Sequence, residues 1–321
     1  MRLFYRCLAI LAMVACLWGG ASLFSKARAA TCSFTVTNVA FGSVDVTANA
    51  AVDTTATVSI TCSGLALLTV QVCVNLGVGS GGATNAANRF MLSGSNKLSY
   101  SLYSNAARTA VWGSDLWAGA GAGSVSINVP LLLGSNTVTS TVYGRVFSGQ
   151  QTVPAGSYLS VFTGMDAEIK YGTVGLGCGT LPSTATTTFN VTATVPTTCT
   201  VATNNLNFST AGVLTANTDA TTTVAPDCTN GTPYNIGLDG GLSGAANPTQ
   251  RKMTKAAEFV LYGLYRDSAR SLPFGNTIGT NTLTGTGTGL AQSATVYGRI
   301  APQSTPSPGT YNDTIVVTLT Y

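Results

Sequence analysis

One set of landmarks occurs twice in this 321-residue chain, in the same order and at nearly the same spacing. Cys32 and Cys62 stand 30 residues apart, and Cys199 and Cys228 stand 29 apart. Asn88-Arg89-Phe90-Met91 returns as Gln250-Arg251-Lys252-Met253. Leu98-Ser99-Tyr100-Ser101-Leu102-Tyr103 returns as Val260-Leu261-Tyr262-Gly263-Leu264-Tyr265, with Arg108 and Arg270 each five residues beyond the last tyrosine. Val142-Tyr143-Gly144-Arg145 returns as Val296-Tyr297-Gly298-Arg299, and Gly156-Ser157-Tyr158 as Gly309-Thr310-Tyr311. So many ordered matches exceed what low-complexity sequence gives by chance. Two long copies, rather than many short ones, exclude a solenoid. The chain is expected to fold the same way twice.

What each copy folds into follows from its residues. Thr and Val on short alternating runs, between clusters of Gly, Asn and Asp, predict many β-strands. The high Gly and Thr content is also compatible with disorder, but a 45% hydrophobic composition argues for a buried core. Ahead of the repeat, residues 1–29 read as a secretory signal peptide. Arg2 and Arg6 form its basic start, an apolar run extends from Cys7 to Leu17, and Ala27-Arg28-Ala29 is the cleavage site. An uncleaved membrane anchor fits less well, because Gly19, Gly20 and Ser22 break the run before it spans a bilayer. Lipidation at Cys16 fits less well still, because the apolar stretch continues past it. The expected domains are 30–196 and 197–321.

Charge and cysteine usage narrow the partners. Of 15 basic residues, Arg2, Arg6, Lys26 and Arg28 lie in the leader, so the mature chain carries 11 basic and 11 acidic residues. A net charge of zero without any basic run excludes nucleic acid and anionic membrane as favoured partners. Cys7 and Cys16 leave with the leader. The six that remain, an even number in an exported chain, predict disulfides. The repeat pairs Cys32 with Cys62 and Cys199 with Cys228. Cys73 and Cys178 then either pair with each other or stay as two buried thiols. Each repeated bridge closes a loop worth roughly 3–4 kcal/mol in unfolded-chain entropy.

The second copy contains Leu-Tyr-x-x-x-x-Arg (Leu264-Tyr265 to Arg270), then Val296-Tyr297-Gly298-Arg299. It ends on the Pro-x-x-Gly-x-Tyr-x-Asp-x-Ile-x-Val-x-Leu-x-Tyr string, from Pro306 to Tyr321. These motifs resemble the spore coat protein U family, which outside the spore-formers supplies subunits of archaic chaperone–usher pili of the Csu type. The second copy matches throughout. The first keeps the cysteines, Leu102-Tyr103, Arg108 and the segment from Val142 to Arg145, but reads as replacing the ending with the run from Tyr158 to Gly164. The resemblance implies an all-β fold of two tandem immunoglobulin-like β-sandwich domains of the pilin type, each lacking its last strand. A neighbouring subunit fills that gap by donor-strand exchange, after a periplasmic chaperone has covered it and an outer-membrane usher has taken delivery.

Phe189, Val191, Ala193 and Val195 alternate with Asn190, Thr192 and Thr194, the pattern of a strand with one apolar face. Burying four such side chains contributes on the order of 5–10 kcal/mol, an upper value against an extended chain. Lying between the copies, this segment is expected to close the first domain in cis. The alternatives are an ordinary first strand of the second domain or a Thr-rich linker. The run through Ile315, Val317, Leu319 and Tyr321 is expected to be the strand beside the gap of the second domain. After the leader the mature chain is expected to start almost directly at Cys32, with no donor strand ahead of it, as befits a subunit that ends a fibre.

The first copy carries the longer insertions: 33 residues between Arg108 and Val142 against 25 in the second, and 26 between Cys62 and Arg89 against 22. They hold Leu65, Leu67, Trp117, Leu131, Leu132 and Leu133. Long loops on a rigid sandwich carry function, and exposed apolar patches mark contact surfaces. In the resembled family, tip subunits use apolar finger loops on abiotic, hydrophobic surfaces. These six residues are therefore expected to be surface-binding, against the alternative that Leu131 to Leu133 form a core strand and Leu65 to Leu68 begin another. Trp112, so near Arg108, is expected to be packing.

An enzyme is not expected. The chain has no histidine, so the commonest general base and metal ligand is missing. The nearest acidic pair, Asp166 and Glu168, has no partner motif, and the glycine-rich stretches lack the lysine and helix of a phosphate loop. No cofactor, metal or catalytic residue is assigned. The reading is a tip adhesin exported through the periplasm to a pilus at the cell surface and serving biofilm formation, with a structural shaft or coat subunit as its alternative.

Overall fold

Alternation of apolar and hydroxyl-bearing residues fixes which side of each strand meets the core. The computed structural model describes residues 30–117 and 122–321, without the side chains of Leu65, Ala66, Leu67, Leu132 and Leu133. Strands of the first domain are β1 (Thr31–Val36), β2 (Val39–Ser43), β3 (Val52–Leu76), β4 (Ala83–Asn85), β5 (Asn88–Ser93), β6 (Asn96–Tyr103), β7 (Val125–Val146), β8 (Gly156–Phe162), β9 (Ala167–Thr173), β10 (Ser183–Thr186) and β11 (Phe189–Val195). Phe34, Val36, Val58, Ile60 and Val142 point inward and are buried. Between them Ser33, Thr35, Thr57 and Thr139 point to solvent.

The main path of the sheet runs β10-β9-β3-β7-β6-β5-β8-β11-β2, with β1 on β3 and β4 on β5. Two strands do most of the shaping. β3 and β7, of 25 and 22 residues, pair from Val52↔Val146 to Val74↔Val125, with a register shift between Gly64 and Leu67. Before the shift the other edge of β3 carries β1; after it, that edge carries β9. A bulge lets one strand serve both layers of a sandwich by turning the corner between them.

The second domain is built to the same plan in shorter pieces. β12 (Cys199–Thr203), β13 (Thr218–Cys228), β18 (Ala294–Ile300), β16 (Glu258–Tyr265) and β15 (Arg251–Lys255) form one sheet. β17 (Leu283–Thr286), β14 (Pro233–Leu238) and β19 (Val317–Thr320) form the other. Here β13 and β14 replace the continuous β3, and β17 and β18 replace β7. Cys32–Cys62 and Cys199–Cys228 join directly opposed residues, on β1 and β3 in the first domain and on β12 and β13 in the second. Cys73–Cys178 ties β3 to the turn beyond β9.

The landmarks that recur in sequence are polar anchors. Arg89, fully buried, donates to the carbonyls of Gly77 (2.7 Å), Ala86 (2.6 Å), Leu76 (2.7 Å) and Trp112 (2.7 Å). Arg251 does the same with Asp239 (2.7 Å), Pro248 (2.6 Å), Leu238 (3.0 Å) and Phe274 (2.8 Å). Burial lowers the Arg89 pKa to about 10, which leaves it charged at neutral pH. A buried guanidinium is tolerated only when its donors are satisfied, and here each one ties loop carbonyls to the sheet.

The Tyr-Gly-Arg motif makes a second anchor. Arg145 and Arg108 both reach Asp53, at 2.7 and 3.3 Å, as Arg299 and Arg270 reach Asp219, at 2.7 and 3.1 Å. Arg108 and Arg270 also stack over Tyr143 and Tyr297, each 5.7 Å from the ring centre. The motif glycines are explained by sterics. A Cβ on Gly144 would meet Phe41 and Val39, and one on Gly298 would meet Leu206 and Phe208.

Two outcomes follow. Arg89→Met should remove the side-chain donor from the carbonyls of Leu76, Gly77 and Trp112, while that of Ala86 keeps the Ser101 hydroxyl at 3.2 Å, at roughly 1–3 kcal/mol for each buried orphan. The first domain should then lose its cooperative denaturant transition while the second keeps its own; two unchanged transitions would contradict the anchor role. The hydrogen bond from Arg145, and then the charge of Arg108, hold Asp53 below the ordinary carboxylate value of about 3.8, and Arg299 and Arg270 do so for Asp219. A lowered folded pKa stabilises above the unfolded value, and that contribution is lost as pH falls through the folded value. Melting of the Asp53→Asn, Asp219→Asn variant should therefore depend less on pH below about 4 than melting of the parent.

Candidate functional site: one strand groove filled, one open

In the first domain β11 lies between β8 and β2. It pairs antiparallel with β8 over its whole length, from Phe189↔Phe162 to Val195↔Gly156, and parallel with β2 at Val191↔Val39. Phe189, Val191, Ala193 and Val195 are all buried. Phe189 stacks on Phe162, ring centres 4.7 Å apart. β11 thus satisfies the main-chain groups of two strands and covers the apolar floor between them. Addition of a strand to an open edge is an established mode of peptide recognition, of which pilin donor-strand complementation is an instance.

The second domain has the same floor, and among the described residues no strand lies on it. Phe41 makes an edge-on contact with Tyr100 at 6.2 Å, and Phe208 makes its counterpart with Tyr262 at 6.0 Å. Yet Val39 and Phe41 are buried, whereas Leu206 and Phe208 are half-exposed and the segment 204–210 forms no strand. The far wall shows the same difference. Tyr158 and Phe162 are buried, but Tyr311 and Ile315, in the corresponding stretch, remain half-exposed. Met253 lies half-exposed too, where its counterpart Met91 is buried. Among the described residues, no strand of the second domain plays the part of β11.

The wall of this groove is held in place. The Tyr311 hydroxyl donates to the Ser307 carbonyl at 2.8 Å, repeating the Tyr158–Pro154 bond at 2.7 Å. Tyr262 donates to Asp313 at 2.7 Å, and the same carboxylate accepts the Leu242 amide at 2.8 Å. Burial, and then that carboxylate, push the Tyr262 pKa upward.

Of the residues named from sequence at the end of the chain, Ile315 precedes β19, Val317 and Leu319 lie on it half-buried, and Tyr321 is 59% exposed. The ending of the first copy needs correction. It is not replaced but interrupted: after a short 3-10 turn at Gly164–Asp166 the chain resumes as β9, whose Ile169 pairs with Val74 as Leu319 of β19 pairs with Ile236. Asp166 and Glu168 do not form a pair of acids. Asp166 accepts the Val78 amide at 2.9 Å, and burial raises the Glu168 pKa.

Five of the six residues expected on surface loops also need correction. Leu65 and Leu67 lie on β3, and Leu131, Leu132 and Leu133 on β7, where Leu67 faces Leu132 and Leu68 faces Leu131 across the bulge. Leu131 is 1% exposed and belongs to the core, because it follows Val129 on the inward side of an alternating strand. The side chains of Leu65, Leu67, Leu132 and Leu133 lie outside the described part of the structure. Trp117 sits half-buried in a turn. Trp112 is buried and donates to the Val74 carbonyl at 2.9 Å.

Exposed apolar residues do gather at this corner: Leu68 (41%), Val174 (47%) and Leu176 (46%). Val174 and Leu176 had no signal in sequence beyond their nearness to Cys178. The corner is remote from the second domain, which touches the first through Thr198 with Asp45 (3.3 Å) and Asn230 with the Thr152 carbonyl (2.6 Å). From Val52, near that contact, to Gly64 is a run of strand spanning roughly 40 Å at about 3.3 Å per residue. Among the described residues no group of three His, Cys, Asp or Glu side chains is placed to hold a metal.

The profile of the Spore Coat Protein U domain matches residues 20–164 and 185–318, and the chain belongs to that family. It is 35% identical to Protein U of Myxococcus xanthus, over 43% of this chain and 86% of that protein. Among solved structures it is similar to the CsuC–CsuE chaperone–tip adhesion subunit pre-assembly complex from the archaic chaperone–usher Csu pili of Acinetobacter baumannii. That match has 16% identity and a TM-score of 0.52, and covers 91% of this chain and 100% of the other. A further match, at 10% identity and a TM-score of 0.39, is the CupB6 tip adhesin of Pseudomonas aeruginosa; it covers 91% of this chain and 94% of that one. The likeness to the Csu complex shows a shared fold.

If β11 completes the first domain, residues 30–196 should be soluble and monomeric alone, and deleting 187–195 should make them aggregate. Val191→Asp, which places an unpaired carboxylate at a fully buried position, should cost several kcal/mol. Equal solubility and equal melting of the deletion form would refute the role given to β11.

Proposed function

We propose that this chain is a subunit of a chaperone–usher pilus, joined to the fibre by its second domain and adhesive through its first. The observation that carries the proposal is the contrast between the two grooves: the same apolar floor is covered by β11 in one and bare in the other. An open edge beside bare apolar side chains is an aggregation hazard in any secreted protein. It makes sense where a partner covers it during export and another replaces it at assembly. The partners implied are a periplasmic chaperone, an outer-membrane usher and the strand of a neighbouring pilin.

Adhesion is assigned to the corner farthest from the groove. A subunit held by its second domain presents Leu68, Val174 and Leu176 outward, and three apolar side chains at a strand corner suit a hydrophobic abiotic surface. The Cys73–Cys178 bridge, which has no counterpart in the second domain, anchors the turn that carries two of them. Attachment and biofilm formation then depend on apolar area rather than on charge.

Replacing Leu68, Val174 and Leu176 together by Thr should leave the melting temperature nearly unchanged, since exposed sites typically contribute within about 0.5 kcal/mol each. Retention of the protein on polystyrene should fall sharply. A folded variant that binds as well as the parent would remove the adhesive role and leave a structural shaft or coat subunit. Separately, the chain should co-purify with a chaperone encoded beside it; a chain that stays monomeric without one would argue against the open groove.

A further inference from the structure

We infer that the strand completing the second domain is bipartite: its first part pairs with the outer edge of β19, and only its second part fills the groove. The inference rests on the groove reading and adds a second docking edge and a partner chemistry to it.

β9 and β19 play one role. Each pairs with the equivalent strand, β9 with β3 and β19 with β14. Each is led in by the same backbone bond, Gly77 to the Asp166 carbonyl in one domain and Asp239 to the Val316 carbonyl in the other. In the first domain the outer edge of β9 is occupied by β10, with Ser183↔Tyr171, Thr184↔Lys170, Ala185↔Ile169 and Thr186↔Glu168. In the second, β19 ends its sheet, and among the described residues nothing pairs with its outer edge. The amides and carbonyls of 318–321 that face away from β14 therefore have no strand partner.

β10 and β11 are not independent occupants. Only residues 187 and 188 separate them, and the Thr187 amide bonds the Ala167 carbonyl at 3.0 Å, which carries the pairing across the junction. One extended segment, 183–195, thus runs antiparallel beside β9 and then beside β8. A segment entering the second groove in this direction must pass β19 before it reaches Ile315. It would meet there the main-chain groups that no described strand pairs.

The lining sets the chemistry. The first part is small and uncharged in β10, with Ala185 packed against the core. The second needs apolar side chains at every other position, because charged ones would be buried without partners. The partner is accordingly an uncharged segment of an exported chain, rich in Thr, Ala and Val and about as long as 183–195. A short apolar strand alone would leave β19 bare.

The test extends the full chain beyond Tyr321 with a flexible Gly/Ser linker as long as 172–182, followed by a copy of 183–195 or of 189–195 alone. Both copies should raise the melting temperature of the second domain and slow hydrogen exchange through 204–210. Only the longer one should slow exchange at the outward amides of 318–321, by about tenfold or more. That protection should vanish when the copy carries Thr184→Pro and Ala185→Pro, which remove the paired amides. If the longer copy stabilises the domain but leaves 318–321 exchanging as in the parent, the bipartite strand is wrong and the groove stands. If neither copy stabilises the domain, the groove reading fails and this inference with it.

Discussion

The seating of β11 between β8 and β2 decides the rest of the structure. A β-sandwich closes only when each inner face and each buried edge has a partner, and here the closing partner lies just before the second domain begins. With it in place, Val39, Phe41, Tyr158 and Phe162 are core residues. Without an equivalent, Leu206, Phe208, Tyr311 and Ile315 are left half-exposed on the same framework. The second domain also carries anchors that do not involve a strand in that position. Arg251 ties four carbonyls together, Cys199–Cys228 staples the first hairpin, and Asp219 gathers two arginines.

This division of labour explains which residues repeat in sequence. Core positions change freely between the copies, Phe162 to Ile315 or Ala167 to Val317, since apolar side chains of suitable volume substitute for one another at small cost. Anchor positions do not change. A buried guanidinium with its donors placed on particular carbonyls has no isostere, and the glycine beneath Phe41 or Phe208 cannot take a Cβ without a clash. Arg, Tyr, Gly and Cys are therefore the visible repeat, while the strands themselves diverge.

The same reasoning shows what was legible beforehand. A tandem β-fold followed from ordered landmarks, and the apolar face of 189–195 from plain alternation. The strand lengths did not. Gly64 and Gly134 pair with each other at the bulge inside β3 and β7, and the second copy, where the strands break, gave no warning. That is why Leu131 read as a loop residue although it lies in the core. A run of leucines flanked by glycines has no period of its own; only the opposing strand says which side is inside. Val174 and Leu176 were hidden for the converse reason, since their exposure depends on a turn pinned by a bridge distant in sequence. Nor could the ending of the first copy be matched across the 3-10 turn that interrupts it.

Charge places a last constraint on how such a chain meets its partners. The 11 basic residues after position 29 are largely engaged within the fold. Arg89 and Arg251 are buried, and Arg108, Arg145, Arg270 and Arg299 are committed to two aspartates. Lys97 and Lys252 lie over Phe90 and Phe259, Lys255 bonds the Pro308 carbonyl, and Arg266 bonds that of Thr282. Basic and acidic residues after position 29 balance in number, so no net charge favours one sign of partner. What remains is hydroxyl-bearing strand faces, one bare groove and one apolar corner. On the proposed reading, selectivity at the groove comes from main-chain pairing and the spacing of apolar side chains. Adhesion at the corner is then unselective by construction, because nothing there distinguishes one hydrophobic surface from another.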